Sequence, residues 1–490
     1  MSTPLFYAAT PTELTVWWEP AAMPVSRWIV QLNGVEAMTT HHTHATLYGL
    51  TPGETCTVTV SQPDGETKGC VSVTLPAEPP RLNVTAAPYA AVGDGTTLNT
   101  AALQRAIDDC PAGGCVYLPA GVYRTGALHL HSDMELYLDE GAVLQGSDDP
   151  RNYLPRILSR FEGTEMNCYQ SLLHIGTLNH AASPTCCNVS IRGKGTIRGG
   201  GKALARAIIE AERERMKDYL DANAAYVATC ENEDTLPGRA RGRLISIHNA
   251  ERVRISGLTL ADGPSWNVHM VYSRSVVTDH CTIQSQGIWN GDGWDPDSSE
   301  DCTLFACTFQ TGDDAVAIKS GKNPEGNAIG RATRGIRIFD CHCTLGHGIA
   351  MGSEMSGGIE DVKIWDCDLS HSAYGIEIKG TAKRGAFVRK ILVQDVVAPS
   401  LLAHAVLYND DGVGAAEPPV FADLTFRRLT LTGRGWRSGQ WCDCPALELR
   451  GFDEKAHAVQ CVRIESLRLT RPAPLLMECC RDVTLQLEQA

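Results

Sequence analysis

The sequence predicts an all-β chain, a right-handed parallel β-helix preceded by a small β-sandwich and interrupted by one inserted helix. Three observations lead there. Residues 1 to 78 alternate apolar and polar residues in short runs separated by turns. Beyond them, a cysteine or small residue followed by a polar and an apolar residue recurs at intervals of about 24 to 36 positions, the range of a solenoid coil with loop insertions. One stretch, Lys202 to Tyr226, breaks this texture with abundant Ala, Glu, Arg and Leu.

The first segment holds strands such as Leu14-Thr15-Val16-Trp17-Trp18 and Cys56-Thr57-Val58-Thr59-Val60, with turn signals Thr51-Pro52-Gly53 and Pro63-Asp64-Gly65. Its run LTPGETCTVTV resembles the later half of a fibronectin type III module, with Cys56 where such modules usually carry the tyrosine of the corner motif. A packing or spacer role is expected for it ahead of carbohydrate binding. Pro76 to Pro80 reads as a stiff linker, and the second domain is placed at 82–490. Its repeat is seen in Gly257-Leu258-Thr259-Leu260, Cys281-Thr282-Ile283, Cys307-Thr308-Phe309, Cys343-Thr344-Leu345 and Cys367-Asp368-Leu369. Each copy is too short to bury an apolar face alone, so stacked coils sharing one core follow. The insertion at 202–226, entered through Gly199-Gly200-Gly201, is expected to be a solvated helix covering one edge.

With 490 residues, 43% hydrophobic, the chain is neither disordered nor fibrous. A net charge of −14 disfavours nucleic acid and anionic membranes as partners. The N-terminus has no basic stretch leading into an apolar one, and the 19 cysteines include the adjacent pairs Cys186-Cys187 and Cys479-Cys480. The expectation is a cytoplasmic protein with free thiols. Cys341-His342-Cys343 and Cys442-Asp443-Cys444 lack a second pair at finger-like spacing, so no metal site is predicted.

Five short motifs carry candidate chemistry: Asn290-Gly291-Asp292-Gly293, Gly312-Asp313-Asp314, Lys319-Ser320-Gly321, Gly346-His347-Gly348 and Glu377-Ile378-Lys379-Gly380. Each alone is ordinary turn or strand-end sequence. Asp292 and Asp313, however, lie 21 positions apart, near one coil, and His347 and Lys379 follow at about a further coil each once insertions are allowed. Equivalent positions in stacked coils sit about 4.8 Å apart, so these residues are expected to form one column. Carboxylates crowded in this way cannot all ionise, and one must hold a proton near neutral pH. That is the acid and base pair that inverting glycoside hydrolysis requires, with a lysine to hold a sugar carboxylate. No GxSxG elbow is present, and no thiol is placed beside His347 in these motifs, which disfavours a covalent serine or cysteine mechanism.

The ordered set NGD, GDD, GHG and EIK resembles the signature of glycoside hydrolase family 28, the polygalacturonase-like pectin hydrolases. The resemblance spans about residues 85 to 400. It implies that Asp313 is the general acid, that Asp292 and Asp314 position and deprotonate water, and that His347 orients the acid or a substrate hydroxyl. It implies substrate contacts from Lys379 and Asn290, added positive charge from Lys319, and no metal or organic cofactor. The implied partner is a galacturonate-containing pectic oligosaccharide; no oligomeric state is implied.

One departure stands out, because Glu377 occupies the family's arginine position. Either it is paired, for instance by Lys383 or Arg384, leaving Lys379 and Arg384 to hold a carboxylate, or the leaving-group subsite takes a neutral sugar such as rhamnose. The first is preferred. An unexported hydrolase meets only small fragments, so exo-action on oligosaccharides is expected. A calcium-dependent lyase and a binding-only solenoid are the rivals, and the ordered motifs favour neither.

Overall fold

The computed structural model describes residues 5–181, 183–453 and 455–488. The chain divides into two compact units, Met1–Pro80 and Arg81–Ala490.

The first unit contains two antiparallel sheets. Phe6–Ala9, Glu13–Trp17 and His44–Tyr48 form one of three strands; Val35–Thr40, Trp28–Leu32, Thr55–Ser61 and Thr67–Thr74 form one of four. The alternation in Thr55–Ser61 turns Cys56, Val58 and Val60 inward, onto a core with Leu14, Val16, Trp18 and Trp28. Trp18 and Trp28 meet edge to face at 5.6 Å.

The second unit is a right-handed parallel β-helix. Its strands pair in register from coil to coil, in a 19-stranded sheet and an eleven-stranded sheet. One inward position can be followed through Leu136, Ile191, Ile255, Thr278, Leu304, Ile338, Ile364, Val393, Phe426 and Ile464. Thr278 is the polar member, and its hydroxyl accepts the indole N–H of Trp294 at 3.0 Å. Phe305, Phe339 and Trp365 stack at 4.9 and 4.4 Å, so aromatic residues also repeat by coil.

The repeat itself needs one correction. Cys307 pairs with Cys341, Thr308 with His342 and Phe309 with Cys343, so the equivalent copy is Cys341-His342-Cys343 rather than Cys343-Thr344-Leu345. A shift of two residues keeps side chains on the same face of a strand, so the sequence pattern alone did not separate the two registers. All 19 cysteines are free thiols.

The helical segment between Thr196–Arg198 and Ile245–His248 begins with Gly201–Arg215 and continues in short pieces, Lys217–Ala222, Ala224–Val227 and Thr235–Gly238. It is longer than 202–226 and less solvated than expected. Leu204 and Ile208 join the solenoid core, and Glu212 is buried between Arg156 at 3.0 Å and Arg215 at 2.7 Å.

Candidate active site

The five motifs gather on the eleven-stranded sheet. Trp294–Asp297, Val316–Ile318, Gly348–Met351, Gly375–Gly380 and Ser400–Ala405 are consecutive strands of it. Trp294 pairs with Val316, Val316 with Ile349 and Ile349 with Ile376. Counting back two residues from each places Asp292, Asp314, His347 and Tyr374 at equivalent positions in successive coils. Lys379 is not in that line. Asp297 bridges to Lys319, and Ile318, Met351 and Ile378 share a register, so Lys319 and Lys379 stand in a second column. The single predicted column is thus two, because spacing counted in whole coils does not fix the position within a coil.

Asp313 and His347 are the solvent-facing members, with 29% and 37% of their side chains exposed against 4% for Asp292 and 7% for Asp314. The His347 Nδ1 lies 3.0 Å from Asp313 and 3.6 Å from Asp314. Burial favours the neutral ring, but these two carboxylates outweigh it and push His347 up to about 11. The Asp313 carboxylate also accepts the Asp314 backbone N–H at 2.9 Å. Asp314 is buried, which would raise its pKa, yet Lys379 at 3.3 Å and His347 hold it well below the usual carboxylate range.

Asp292 behaves oppositely. Burial, helped by the charges of Asp313 and Asp314, pushes it up to about 7 against the pull of Lys319, whose ammonium is 3.1 Å away. Asp295, fully buried in the next strand and close to Asp292, is pushed well above its ordinary value by burial and by that neighbour. Lys319 is 3.8 Å from Asp295 and 3.5 Å from Glu354, and rests 4.5 Å over the Trp266 ring. Burial works against its charge, but the surrounding carboxylates keep it cationic. The site therefore contains one proton-holding buried acid pair, Asp292 with Asp295, and one buried carboxylate that stays charged, Asp314.

Glu377, Arg384, Asn290 and the neighbouring His269 are placed less simply. Glu377 is neither turned away nor paired by Lys383 or Arg384: it sits 3.1 Å from Lys379 and 2.9 Å from His404, whose other ring nitrogen is 3.2 Å from Glu448. Burial would raise Glu377, but Lys379 and His404 bring it below its ordinary value. Arg384 is fully buried and donates to the Ser353 carbonyl, the Asn323 side chain and the Asn409 carbonyl, so its guanidinium braces loops instead of offering a free cation to substrate. Asn290 accepts from Arg241 at 2.6 Å through its amide oxygen. His269 is fully buried against Trp266, 3.6 Å from Asp297, and burial pulls it down to about 4. Asp313, Asp314 and His347 offer donor atoms within 4.8 Å of one another, a spacing a metal ion can use, but an imidazole–carboxylate contact and Lys379 already occupy them.

Several residues at the site were not singled out by sequence reasoning. Glu354, Arg241 and His404 reach it from loops or neighbouring coils, and no local motif announces them. Tyr408 is 53% exposed and lies close to Lys379, Glu377 and Asp314. Tyr374 meets the His347 ring edge to face at 5.1 Å and is covered by Arg437 at 4.4 Å.

Comparison with known proteins bears on the family and the fold. The profile described as Glycosyl hydrolases family 28 matches residues 161–405, and one described as Rhamnogalacturonase A/epimerase, pectate lyase-like matches residues 82–146. An exo-poly-alpha-D-galacturonosidase of Dickeya chrysanthemi is 30% identical over 427 residues, 81% of this chain and 69% of that one. A probable polygalacturonase of Vitis vinifera is 33% identical over 327 residues, 64% of this chain and 60% of that one. Among solved structures, the family 28 exopolygalacturonase of Yersinia enterocolitica superposes over 100% of both chains with a TM-score of 0.81 at 22% identity. The exopolygalacturonase of Thermotoga maritima covers 83% of this chain and 92% of its own with a TM-score of 0.66 at 25% identity. The chain belongs to glycoside hydrolase family 28 and is a glycoside hydrolase.

Proposed function

We propose that the protein is an inverting, exo-acting hydrolase that releases galacturonate from pectic oligosaccharides. The observation that carries this reading is the solvent-facing Asp313–His347 pair flanked by buried Asp292 and Asp314. Asp313, the accessible carboxyl, delivers a proton to the leaving glycosidic oxygen, and His347 positions it. Asp292 and Asp314 hold the water that attacks the anomeric carbon from the opposite face, and one of them takes its proton. Lys379, with the Tyr408 hydroxyl nearby, receives the sugar on the leaving-group side. Glu377 is neutralised by Lys379 and His404, which lets a galacturonate carboxylate approach. The second reading, a neutral sugar such as rhamnose in that subsite, is favoured by one fact: part of the Lys379 charge is spent on Glu377 at 3.1 Å.

Residues 6–74 are proposed to be a fibronectin type III-like sandwich acting as a spacer, a reading supported by their sheets of three and four antiparallel strands. Proton NMR during the first minutes of turnover tests both points, run on the full chain and on residues 81–490. The released galacturonate is expected first as the anomer opposite to the bond cleaved, at similar kcat in both proteins. Retention of configuration would overturn the mechanism, and loss of turnover in the shorter protein would overturn the spacer role.

A further inference from the structure

Lys319 is held by more carboxylates than Asp292 alone. Its ammonium is 3.1 Å from Asp292, 3.8 Å from Asp295 and 3.5 Å from Glu354, and it rests against the Trp266 ring. Glu354 is buried and belongs to the turn that follows the strand Gly348–Met351. Two backbone hydrogen bonds lock that turn to the residue beside Lys319: Ser320 donates to the Glu354 carbonyl and Gly357 to the Ser320 carbonyl, each at 2.7 Å. Gly352, at φ +100°, opens the turn, and a side chain there would collide with the Lys379 carbonyl.

The two oxygens of Glu354 have different tasks. One faces Lys319; the other accepts the Asn409 amide at 3.1 Å, and the Asn409 oxygen accepts from Lys322 at 2.7 Å. Burial would raise Glu354, but Lys319, Arg384 and Lys322 hold it below its ordinary value, so it is a charged carboxylate. Lys319 also feels Asp314, Asp297 and His269, and Asp292 feels Asp295, Asp313, Asp314, Arg241 and Arg243. An ammonium given wholly to Asp292 would hold that carboxylate in its charged form and make it a poor acceptor for the proton of water. A second carboxylate on the same ammonium prevents this.

We infer that Glu354 is a positioning residue of the hydrolysis: it fixes the Lys319 ammonium and takes part of its charge, so that Asp292 keeps the basicity with which it accepts a proton from the attacking water. This rests on the proposed role of Asp292.

Profiles of kcat/KM against pH on trigalacturonate test it, measured for the wild-type chain, Glu354→Gln, Glu354→Asp and Lys319→Met. Glu354→Gln leaves the Lys319 charge to Asp292 and lowers its pKa. The acid limb is expected to move down by about one unit, while kcat on the plateau falls about three- to tenfold with the weaker base. Lys319→Met moves the limb the opposite way, so the sign separates shared charge from general damage, which would lower kcat without moving the limb. Glu354→Asp keeps the buried charge but withdraws it from Lys319; its limb is expected about half a unit down, a readout that remains if Glu354→Gln does not fold. When Glu354→Gln is added to Lys319→Met, its effect on the limb is expected to shrink to within about 0.3 unit, as it must if Glu354 acts through Lys319. A limb that stays in place or rises in the Glu354 variants, while Lys319→Met raises it, would overturn this inference alone. A limb unmoved by Lys319→Met as well would overturn the proposed role of Asp292 with it.

Discussion

At the scale of residues, the site works by giving neighbouring carboxylates different environments. Asp292 and Asp314 sit at equivalent positions one coil apart, yet Lys379 and His347 keep Asp314 charged while burial holds Asp292 near neutrality. Lys319 is the group that restrains Asp292. Removing its charge in Lys319→Met therefore raises the Asp292 pKa further, and the carboxylate form needed to accept a proton from water is reached only at higher pH. The acid limb of kcat/KM, expected near pH 7, moves up by about one unit in that variant, a shift read from a pH–rate profile. A limb that stays in place or moves down contradicts the assignment. The carboxylates and His347 were legible because their motifs keep short local spacing. The partners of Glu377 were only half legible. Lys379 lies two residues along the same strand, but His404 pairs with Lys379 across a coil boundary, a relation that only the register supplies. Arg384 was misread for a similar reason, since nothing local shows that its side chain turns toward the Asn409 carbonyl and Asn323.

At the scale of elements, the strands owe their stability to inward ladders, not to any one coil. Ile338 is fully buried between Leu304 and Ile364, each one coil away. Ile338→Ala removes contacts on both sides and leaves a void that the neighbouring coils cannot close without breaking register, so a loss of about 2–5 kcal/mol is expected in denaturant unfolding. A loss below about 1 kcal/mol would mean that the coils relax independently. The existence of the ladders was readable from the recurring cysteine and small-residue motif. Its phase was not readable at Cys341 to Cys343, where two thiols of the same parity compete and an irregularity follows Phe309. The inserted helix was readable from composition, whereas its continuation to Gly238 was not: Cys230-Glu231-Asn232-Glu233-Asp234 reads as loop, and its short helices pair polar groups with distant loops, as Tyr226 does with Asp411 at 3.4 Å.

At the scale of the molecule, an acidic chain of net charge −14 handles an acidic sugar by concentrating cations where they are needed. Lys319 and Lys379 are buried among carboxylates in the catalytic columns. Local charge, not net charge, decides what binds. The family was therefore legible from ordered motifs, while the sugar accepted beside Glu377 depends on a balance of charges assembled from several coils. That balance is tested most directly by product analysis on digalacturonate, trigalacturonate and a rhamnogalacturonan oligosaccharide with a terminal galacturonate, using Asp313→Asn as control. The expected result is release of galacturonate or a short galacturonide from the trigalacturonate end, reduced at least about a thousandfold in Asp313→Asn. Cleavage confined to the rhamnose-linked substrate would contradict the account, showing that Glu377 leaves the leaving-group subsite too negative for a second uronate.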